Sequence, residues 1–406
     1  MKNKPRIRFK GFTEDWEQRK LESLFTKYED KVNTPNSGYW RLGLRSHCKG
    51  TFHTYIDAGN ELETAEMNRV KSGNFILNIT FAWERALAVT NDEDQDKLVS
   101  HRFPQFKPNS DLVIDFFKHT LMNKRFKHHL ELSSPGGAGR NKVLKVADML
   151  KYELLVPSIK EQNEISSLLN HVDYIITLHH RKLEKLKLAK KALLQKLFPK
   201  NGSQFPEIRF KGFTDAWEQR KLGNLGTLKN GMNFSKEAMG KGYPFINLQN
   251  IFGSNVIDLT KLEKAEATDS QLKDYNLQKG DVLFVRSSVK LEGVGEAALI
   301  SEDLKDTTFS GFIIRFRDNY GLDYNFKRFI FTTVLIRNQI MSQATNSANK
   351  NISQSVLNNL NLFIPTKDEQ SKIGLIFSKL DKCITLHQCK LDKLQDVKKG
   401  LLQKMF

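Results

Sequence analysis

The chain has few cysteines, no long apolar run and no recognisable metal-ligand spacing. Its ten histidines include two adjacent pairs, and adjacent residues point to different faces of a helix. No apolar run approaches the roughly 20 residues that span a bilayer, and the basic first ten residues lack the apolar core of a signal peptide. We therefore expect no metal site, no disulfide framework, no membrane partner and a cytoplasmic location. The three cysteines are Cys48, Cys383 and Cys389.

Motifs of nucleotide-using and methyl-transferring enzymes are also missing. No GxxxxGK[ST] phosphate loop occurs, because Gly240-Lys241 is followed by glycine and lacks the upstream glycine. No Asn-Pro-Pro-aromatic or Asp-Pro-Pro-aromatic tetrapeptide of an amino-methyltransferase is present, and no GxGxxG opens a helix after a strand. The spacing of the acidic and lysine residues singles out no nuclease site. We expect no catalytic residue and no cofactor bound by this chain.

The charge balance is strongly basic. The 406 residues include 64 Lys and Arg against 46 Asp and Glu, which gives a net charge of +18. Such an excess favours a polyanionic partner, with binding that weakens steeply as salt rises. A basic surface without a nucleic-acid partner has the same composition, so charge alone does not choose between the two.

Two segments of the chain occur twice. The 22 residues from Pro5 match those from Pro206 at 16 positions, and the 44 residues 155–198 match 363–406 at 20 positions. The intervening segments, 27–154 and 228–362, resemble each other only loosely. The chain is therefore two copies of one module, and the differing inserts suggest two versions of one task.

Each second repeat has the pattern of a long amphipathic helix. Pro157 ends an extended stretch, and Ser158 with Glu161 forms a potential capping box. Apolar residues then recur at spacings of three and four over more than four heptads, which predicts two helices that pair with each other, in an antiparallel manner. The matched polar positions are His179 with His387 and Lys190 with Lys398. The predicted seam comprises Ile165, Leu169, Val172, Ile176, Leu183, Leu186, Leu193, Ile373, Leu380, Ile384, Leu391, Leu394 and Leu401.

The two inserts mix strand and helix signals, which predicts an α+β fold with two tandem α/β-mixed domains, separated by the two long helices in a dumbbell. We expect strands at 75–80, 112–116, 281–286 and 311–316, and helices around 117–132 and 325–345. A plain structural or dimerising coiled coil is the alternative reading of the heptads. The expected boundaries are 1–155 for the first domain, 156–198 for the central helix, 199–206 for a linker, 207–363 for the second domain and 364–406 for the last helix.

Polar clusters next to strand ends carry side chains of the kind that read base edges. Arginine and lysine match guanine, and asparagine and glutamine match adenine. The first-domain candidates for DNA contact are Arg41, Arg45, His47, Lys49, Arg85, Arg140, Asn141 and Lys142. The second-domain candidates are Asn247, Gln249, Asn250, Arg286, Ser287, Lys290, Asn349, Lys350 and Asn351.

The repeated segments resemble those of type I restriction–modification specificity subunits. The resemblance rests on the helix starts at Pro157 and Pro365, each followed by Glu-Gln-x-x-Ile, and on the two Trp-Glu-Gln-Arg-Lys-Leu segments at Trp16 and Trp217. The segments 243–250 and 279–286 are also similar to second-domain strands of that family. The first domain departs more, since Lys71-Ser72-Gly73-Asn74 stands where the second has Lys-Gly-Asp-Val.

The resemblance implies a chain that reads double-stranded DNA. Each domain would read one half of a split target, and the helices would set the spacing and dock two modification subunits. Those subunits would supply S-adenosylmethionine-dependent adenine methylation, and two restriction subunits would supply ATP- and Mg²⁺-dependent translocation and cleavage. The competing hypotheses are a stand-alone nuclease or methyltransferase and an adaptor without sequence reading. An insertion of a few residues between Pro199 and Phe205 should lengthen the unread gap of the target and leave both half-sites unchanged.

Overall fold

The computed structural model describes residues 4–136, 142–200, 203–345 and 347–406. The chain forms two compact units, and each of them draws on both copies of the repeated helix. The first unit comprises Met1–His179 and Lys390–Phe406, and the second comprises His180–Cys389. The predicted domain boundaries differ from this division because each long helix contributes one half to each unit. None of the helices in the described ranges has the length and apolar character needed to cross a membrane.

The first unit mixes short strands with short helices ahead of the first long helix. Its 3₁₀ turns are Ala82–Glu84 and Asp92–Asp94. Its strands and helices are β1 Glu17–Lys20, α1 Leu21–Leu24, β2 Phe25–Tyr28, β3 Lys31–Asn33, β4 Tyr39–Leu44, β5 Thr51–Ile56, β6 Glu66–Arg69, β7 Phe75–Leu77, β8 Leu87–Val89, β9 Leu98–Val99, β10 Gln105–Pro108, α2 Ile114–Thr120, α3 Lys124–Leu132, α4 Val146–Met149, β11 Glu153–Val156 and the start of α5 Ile159–Lys196.

The second unit repeats this order with local differences. Its 3₁₀ turns are Leu222–Asn224, Lys236–Ala238, Leu248–Asn250 and Leu291–Gly293. Its strands and helices are β12 Glu218–Lys221, β13 Gly226–Asn230, β14 Met239–Ile246, β15 Glu263–Ala265, α6 Asp269–Asp274, β16 Val282–Val285, β17 Ser287–Ser288, β18 Ala297–Leu299, β19 Thr308–Phe309, β20 Ile313–Asp318, α7 Tyr324–Ile330, α8 Val334–Gln343, β21 Lys350–Asn351, α9 Gln354–Asn358, β22 Asn361–Ile364 and the start of α10 Lys367–Met405.

A four-stranded antiparallel sheet has the same strand order in both units. The order is β2-β10-β7-β8 in the first and β13-β20-β16-β18 in the second, and β1-β11 and β12-β22 form matching two-stranded ribbons. A further sheet differs between the units, being five-stranded as β3-β6-β9-β4-β5 and three-stranded as β15-β14-β19. In both of these, one pair is parallel, β4 with β9 and β14 with β19. The predicted mixture of helix and sheet is confirmed.

One predicted strand, 112–116, is wrong. The Leu-Val-Ile run favours a strand by propensity, yet α2 starts at Ile114 because Phe116 and Phe117 both turn into the core of the unit. The side chain of Gln162 accepts a hydrogen bond from the backbone N–H of Val113 at 2.7 Å, which satisfies one donor at the helix start. Tertiary packing therefore overrides local propensity here. The strands predicted around 75–80, 281–286 and 311–316 are present in shortened or shifted form as β7, β16 and β20.

The predicted seam lies on one face of each long helix. Every seam residue is buried or half-buried, whereas Leu188, off the seam, is 66% exposed. In the first unit Lys398 pairs with Asp173 at 2.5 Å, and Ile165 and Leu169 share a core with Met405. In the second unit Lys190 pairs with Asp381 at 2.6 Å, and Ile373 shares a core with Leu197 and Phe198. Within each unit the two helical segments therefore run antiparallel.

The repeated segments hold each long helix at its start. Arg8 donates two hydrogen bonds to the carboxylate of Glu161, at 2.6 and 2.8 Å, and Arg209 does the same for Glu369 at 2.8 Å. Ser158 accepts from the backbone N–H of Glu161 at 3.4 Å, so the Glu161 carboxylate pairs with arginine rather than closing the predicted capping box. We call these two ion pairs the start clasps.

Gln162 and Gln370 explain the other repeated position of the motif. Each is buried and donates to the carbonyl of the preceding proline at 2.9 Å. Each also accepts from the first backbone N–H ahead of a short helix, at Val113 and at Asp323. One glutamine therefore joins the end of a strand ribbon, the start of a long helix and the start of a short one.

The end of each long helix closes a hydrophobic core. Phe406 meets Trp16 and Phe116 in the first unit, with ring centroids 6.4 and 5.2 Å apart. Phe198 meets Trp217 and Phe326 in the second unit, at 6.0 and 5.6 Å. The first unit is thus completed by the end of α10, and the second by the end of α5.

The linker after the central helix is tied back onto that helix within the second unit. The backbone N–H of Ile208 donates to the carbonyl of Lys196 at 2.9 Å. Lys196 and Lys200 both pair with Glu207 at 2.8 Å, and these two lysines lower the pKa of that carboxyl to about 2. Both ends of the linker are held together, so an insertion between Pro199 and Phe205 would extend a surface loop. Such an insertion is therefore not expected to lengthen the unread gap of the target, contrary to the prediction from the sequence.

Candidate nucleic-acid interface

Three separate polar segments of the first unit meet at one place. These are the turn 45–50 after β4, the loop 78–86 after β7 and the residues 142–145 ahead of α4, which we call the first loop cluster. The backbone N–H groups of His47 and Cys48 donate to the carbonyls of Glu84 and Arg85 at 2.8 and 2.9 Å, and Leu144 donates to Ile79 at 2.8 Å. The candidates Arg140 and Asn141 lie outside the described residues.

The backbone of the first loop cluster is held in an unusual conformation. His47, Cys48 and Arg85 have φ angles of 63, 54 and 60°, in the left-handed region that side chains other than glycine rarely adopt. Ser46 donates to the carboxylate of Glu84 at 2.8 Å, which adds to the two backbone hydrogen bonds between these loops. Strained backbone persists where its surroundings determine it, and it concentrates at functional sites. The two loops are therefore one braced structure.

Several cationic side chains of this cluster contact aromatic rings or backbone carbonyls. Arg45 is exposed and its guanidinium lies 5.2 Å from the ring centroid of Phe52, and Lys142 lies 5.1 Å from that of Trp83. Lys49 and His47 are exposed, whereas Arg41, on β4, is half-buried. Arg85 is half-buried and donates to the carbonyl of Met122 at 3.4 Å. Burial raises the pKa of the Cys48 thiol to about 11, so this cysteine is a neutral packing group.

The second unit brings two of its polar segments together in the same way. Ser287 and Ser288 pair with Asn351 and Lys350 as strands β17 and β21. The backbone N–H of Ile352 donates to the carbonyl of Arg286 at 3.0 Å, the counterpart of the bond from Leu144 to Ile79. We call the residues 286–293 and 347–353 the second loop cluster.

The candidate side chains of the second loop cluster are exposed or half-buried. Lys290 and Asn349 are exposed, and Ser287, Lys350 and Asn351 are half-buried. Lys350 donates to the carbonyl of Ser347 at 2.8 Å, and Asn351 to that of Asn349 at 2.7 Å. Arg286 donates to the carbonyl of Gly311 from its guanidinium at 3.2 Å and to the carbonyl of Phe312 from its backbone N–H at 2.8 Å.

The third predicted segment of the second unit, 247–250, has a mainly structural role. Asn250 is buried, and its amide donates to the carbonyls of Asp258 and Lys261 at 3.0 and 3.2 Å. Asn247 caps the following 3₁₀ turn and donates to Glu263 at 3.0 Å, while Gln249 is exposed and donates to the same carboxylate at 3.1 Å. Asn250 therefore cannot present its amide to DNA in this conformation, and Gln249 remains accessible.

Sequence reasoning missed the aromatic side chains that accompany these loops. Phe52 and Trp83 each lie under a candidate cation, and Trp40 and Tyr55 form an exposed edge-to-face pair 5.3 Å apart on the β4–β5 hairpin. Exposed aromatic residues bounded by basic residues are a signal of nucleic-acid binding. The aromatic residues are visible in the sequence. However, the sequence does not show which of them are exposed and which are buried in a core, because that depends on the strand register.

The two loop clusters occupy equivalent positions in the two units. The loops 78–86 and 286–293 follow β7 and β16, which hold the same place in the four-stranded sheet. The segments 142–145 and 347–353 precede α4 and α9. Among the described residues, no group of three or more His, Cys, Asp or Glu side chains is arranged to hold a metal ion. The repeated fold therefore carries two loop surfaces at equivalent positions, and the two surfaces differ in sequence.

A family model with the description "Type I restriction modification DNA specificity domain" matches the chain twice. The matched residues are 13–188 and 214–396, which include both loop clusters and most of both long helices. A chain with two such repeated domains is of the specificity-subunit class, and it belongs to this family. The resemblance inferred from the Pro-x-x-x-Glu-Gln motifs is confirmed.

Curated relatives and a solved structure agree with this assignment. The MjaX specificity subunit of Methanocaldococcus jannaschii is 27% identical over 50% of this chain and 48% of its own length. The EcoKI specificity subunit of Escherichia coli K12 is 22% identical over 66% of this chain and 58% of its own length. The chain thus spans about half the length of these relatives. The crystal structure of a type I restriction–modification S subunit from M. genitalium has the same fold, with a TM-score of 0.58, 14% identity and 99% of both chains covered.

Proposed function

We propose that this chain is the DNA-reading subunit of a type I restriction–modification complex. Each loop cluster reads one half of a split double-stranded target. The observation that carries the proposal is the pair of divergent loop clusters at equivalent positions of a repeated fold. Two surfaces of the same construction but different sequence suit two different short DNA sequences, because base edges are read by side chains while the scaffold contacts the backbone.

The partners follow from the family. The long helices, of about 57 Å at 1.5 Å per residue, set the spacing between the two half-sites and dock two modification subunits, and two restriction subunits join that complex. The chain itself is not catalytic and binds no cofactor. S-adenosylmethionine, ATP and Mg²⁺ act through the other subunits. The absence of methyltransferase and phosphate-loop motifs from the sequence supports this part of the proposal.

The test is to co-express the chain with the neighbouring modification subunit and to map methylated adenines across the host genome. We expect one split motif with a fixed gap. Replacing residues 228–362 by the corresponding segment of a relative should then change one half of the motif and leave the other half and the gap unchanged. A matched swap of residues 27–154 should change only the opposite half.

Three outcomes would contradict the proposal in different ways. A stable complex that methylates no split motif would favour an adaptor without sequence reading. Methylation or cleavage by the purified chain alone would establish an enzyme. A swap of one insert that alters both halves of the motif would refute the division of the target between two loop clusters.

A further inference from the structure

The turn of the β4–β5 hairpin carries a stacked arrangement of three residues. A Cβ atom placed on Gly43 would lie 2.3 to 2.8 Å from three carbons of the Phe52 ring, so the ring lies directly on the glycine backbone. Gly43 and Phe52 are directly paired across the two strands. The guanidinium of Arg45 lies on the ring, 5.2 Å from its centroid. The ring therefore contacts both the Gly43 backbone and the Arg45 guanidinium.

Arg45 is fixed on one side and available on the other. Its backbone N–H closes the turn by donating to Gly50 at 3.0 Å, and its Nη1 donates to the carbonyl of Thr51. Arg45 is an exposed residue and a guanidinium has five N–H donors, so this one bond leaves donors for a further partner. Within the described ranges no carboxylate lies at ion-pair distance from Arg45, whereas Arg8, Arg19, Arg209 and Arg317 are all paired with carboxylates.

The turn beyond Arg45 is braced rather than loose. Ser46, His47 and Cys48 are hydrogen-bonded to Glu84 and Arg85, and two of these turn residues are held in the left-handed conformation. An arginine on a long side chain normally loses much rotamer freedom on binding. Here the ring and the Thr51 carbonyl have already restricted that freedom, so the exposed edge of the guanidinium is preorganised.

We propose that Arg45 reads a guanine in the first half-site and that Phe52, seated on Gly43, is the residue that positions it. The inference rests on the proposed function. The free edge of an arginine matches the O6 and N7 acceptors of guanine in the major groove with two parallel hydrogen bonds. Among the described residues of the second unit this arrangement has no counterpart, because β14 and β15 are joined by the long segment 247–262 and not by a short hairpin turn. The inference therefore concerns only the half-site read by the first unit.

The first test is the methylation map of variants, with the second half-site as an internal control. Arg45→Ala should lower the preference for guanine at one position of the first half about tenfold to a hundredfold. Phe52→Leu, which keeps an apolar side chain but removes the ring face, should lower it at that same position, and Phe52→Tyr should retain it. Gly43→Ala should act like Phe52→Leu because its methyl group displaces the ring. The second half of the motif should stay unchanged in all four variants.

The second test is direct and does not depend on methylation. The purified complex is titrated with duplexes in which 7-deazaguanine, which lacks the N7 acceptor, replaces each guanine of the first half in turn. The wild-type complex should bind the duplex with 7-deazaguanine at one of these positions more weakly than the unmodified duplex. The Arg45→Ala complex should bind these two duplexes with equal affinity.

The outcomes separate this inference from the function on which it rests. Absence of any split motif with wild type would be a failure of the proposed function. A split motif whose first half contains no guanine, or whose guanines all tolerate 7-deazaguanine, overturns the reading by Arg45. Loss of the preference in Arg45→Ala but full retention in Phe52→Leu overturns the role of Phe52, as does a Phe52→Leu variant that weakens binding equally at every first-half sequence.

Discussion

Replacing Arg8 by methionine would leave the carboxylate of Glu161 buried without a cation. The Glu161 side chain is 0% exposed and the Arg8 side chain is 14% exposed, and both carboxylate oxygens accept from the guanidinium. Removing one partner of a buried ion pair costs about 3–5 kcal/mol, because the remaining charge is uncompensated. In a unit of roughly 200 residues this lowers Tm by roughly 10 °C, since each kcal/mol shifts it about 2–4 °C.

The assay is thermal unfolding combined with hydrogen exchange resolved along the chain. Exchange should accelerate in the first unit and remain unchanged in the second, because the clasp lies wholly inside the first. Arg209→Met should give the mirror result, since Glu369 is held in the same way. The control is Glu131→Gln, which breaks an exposed pair with Lys127 and should cost no more than about 0.5 kcal/mol. If Arg8→Met were as mild as this control, the start clasp would not hold the helix.

Three further predictions follow from burial. Leu183→Asp, at a seam residue 2% exposed, should abolish co-purification with the modification subunit because it buries an unpaired charge, whereas Leu188→Asp, at a residue 66% exposed on the same helix, should co-purify normally. Normal assembly of Leu183→Asp would argue against a functional seam. Alkylation followed by mass spectrometry at pH 8 should modify the exposed Cys383 and Cys389 about a hundredfold faster than Cys48, whose pKa near 11 leaves little thiolate; equal rates would contradict its burial. Burial of His119, together with the nearby Lys398 charge, lowers the pKa of that imidazole to about 4. The unfolded state binds a proton more readily between pH 6.5 and 4, so this group destabilises the fold by up to about 3 kcal/mol as pH falls through that range. His119→Phe, which copies Phe329 of the second unit, should flatten the urea-denaturation stability profile there relative to wild type, and an unchanged profile would refute the burial argument.

The helices and their register could be predicted because their signals are local and periodic. The spacing of Ile165, Leu169 and Val172 identifies the buried face without knowledge of the partner. The recurrence of Lys190 and Lys398 at matched seam positions was visible, but their pairing with Asp381 and Asp173 was not, because it depends on which half of each helix meets which. Long-range pairing of this kind leaves no local pattern.

The candidate site was predictable as a set of segments and less so as a set of side chains. The sequence identified polar clusters around residues 45, 85 and 142, but only the structure shows that they meet in space. Asn250 was a candidate for DNA contact, but its buried amide donates to two backbone carbonyls. Residue type alone does not distinguish such a structural asparagine from one that reads a base. Phe52 was missed because its contacts with Gly43 and Arg45 depend on the pairing of β4 with β5, which the sequence does not show.

The closure of the first unit by Phe406 has a consequence for synthesis. Trp16 and Phe116 are made early, but Phe406, whose ring covers them, is made only after all residues of the second unit. At about 5–20 residues per second, synthesis of the chain from His180 to Phe406 takes roughly 10–45 s. The N-terminal part of the first unit waits for that time without its covering ring. During that time the second unit can fold from a continuous stretch of chain, so the order of folding is expected to reverse the order of translation.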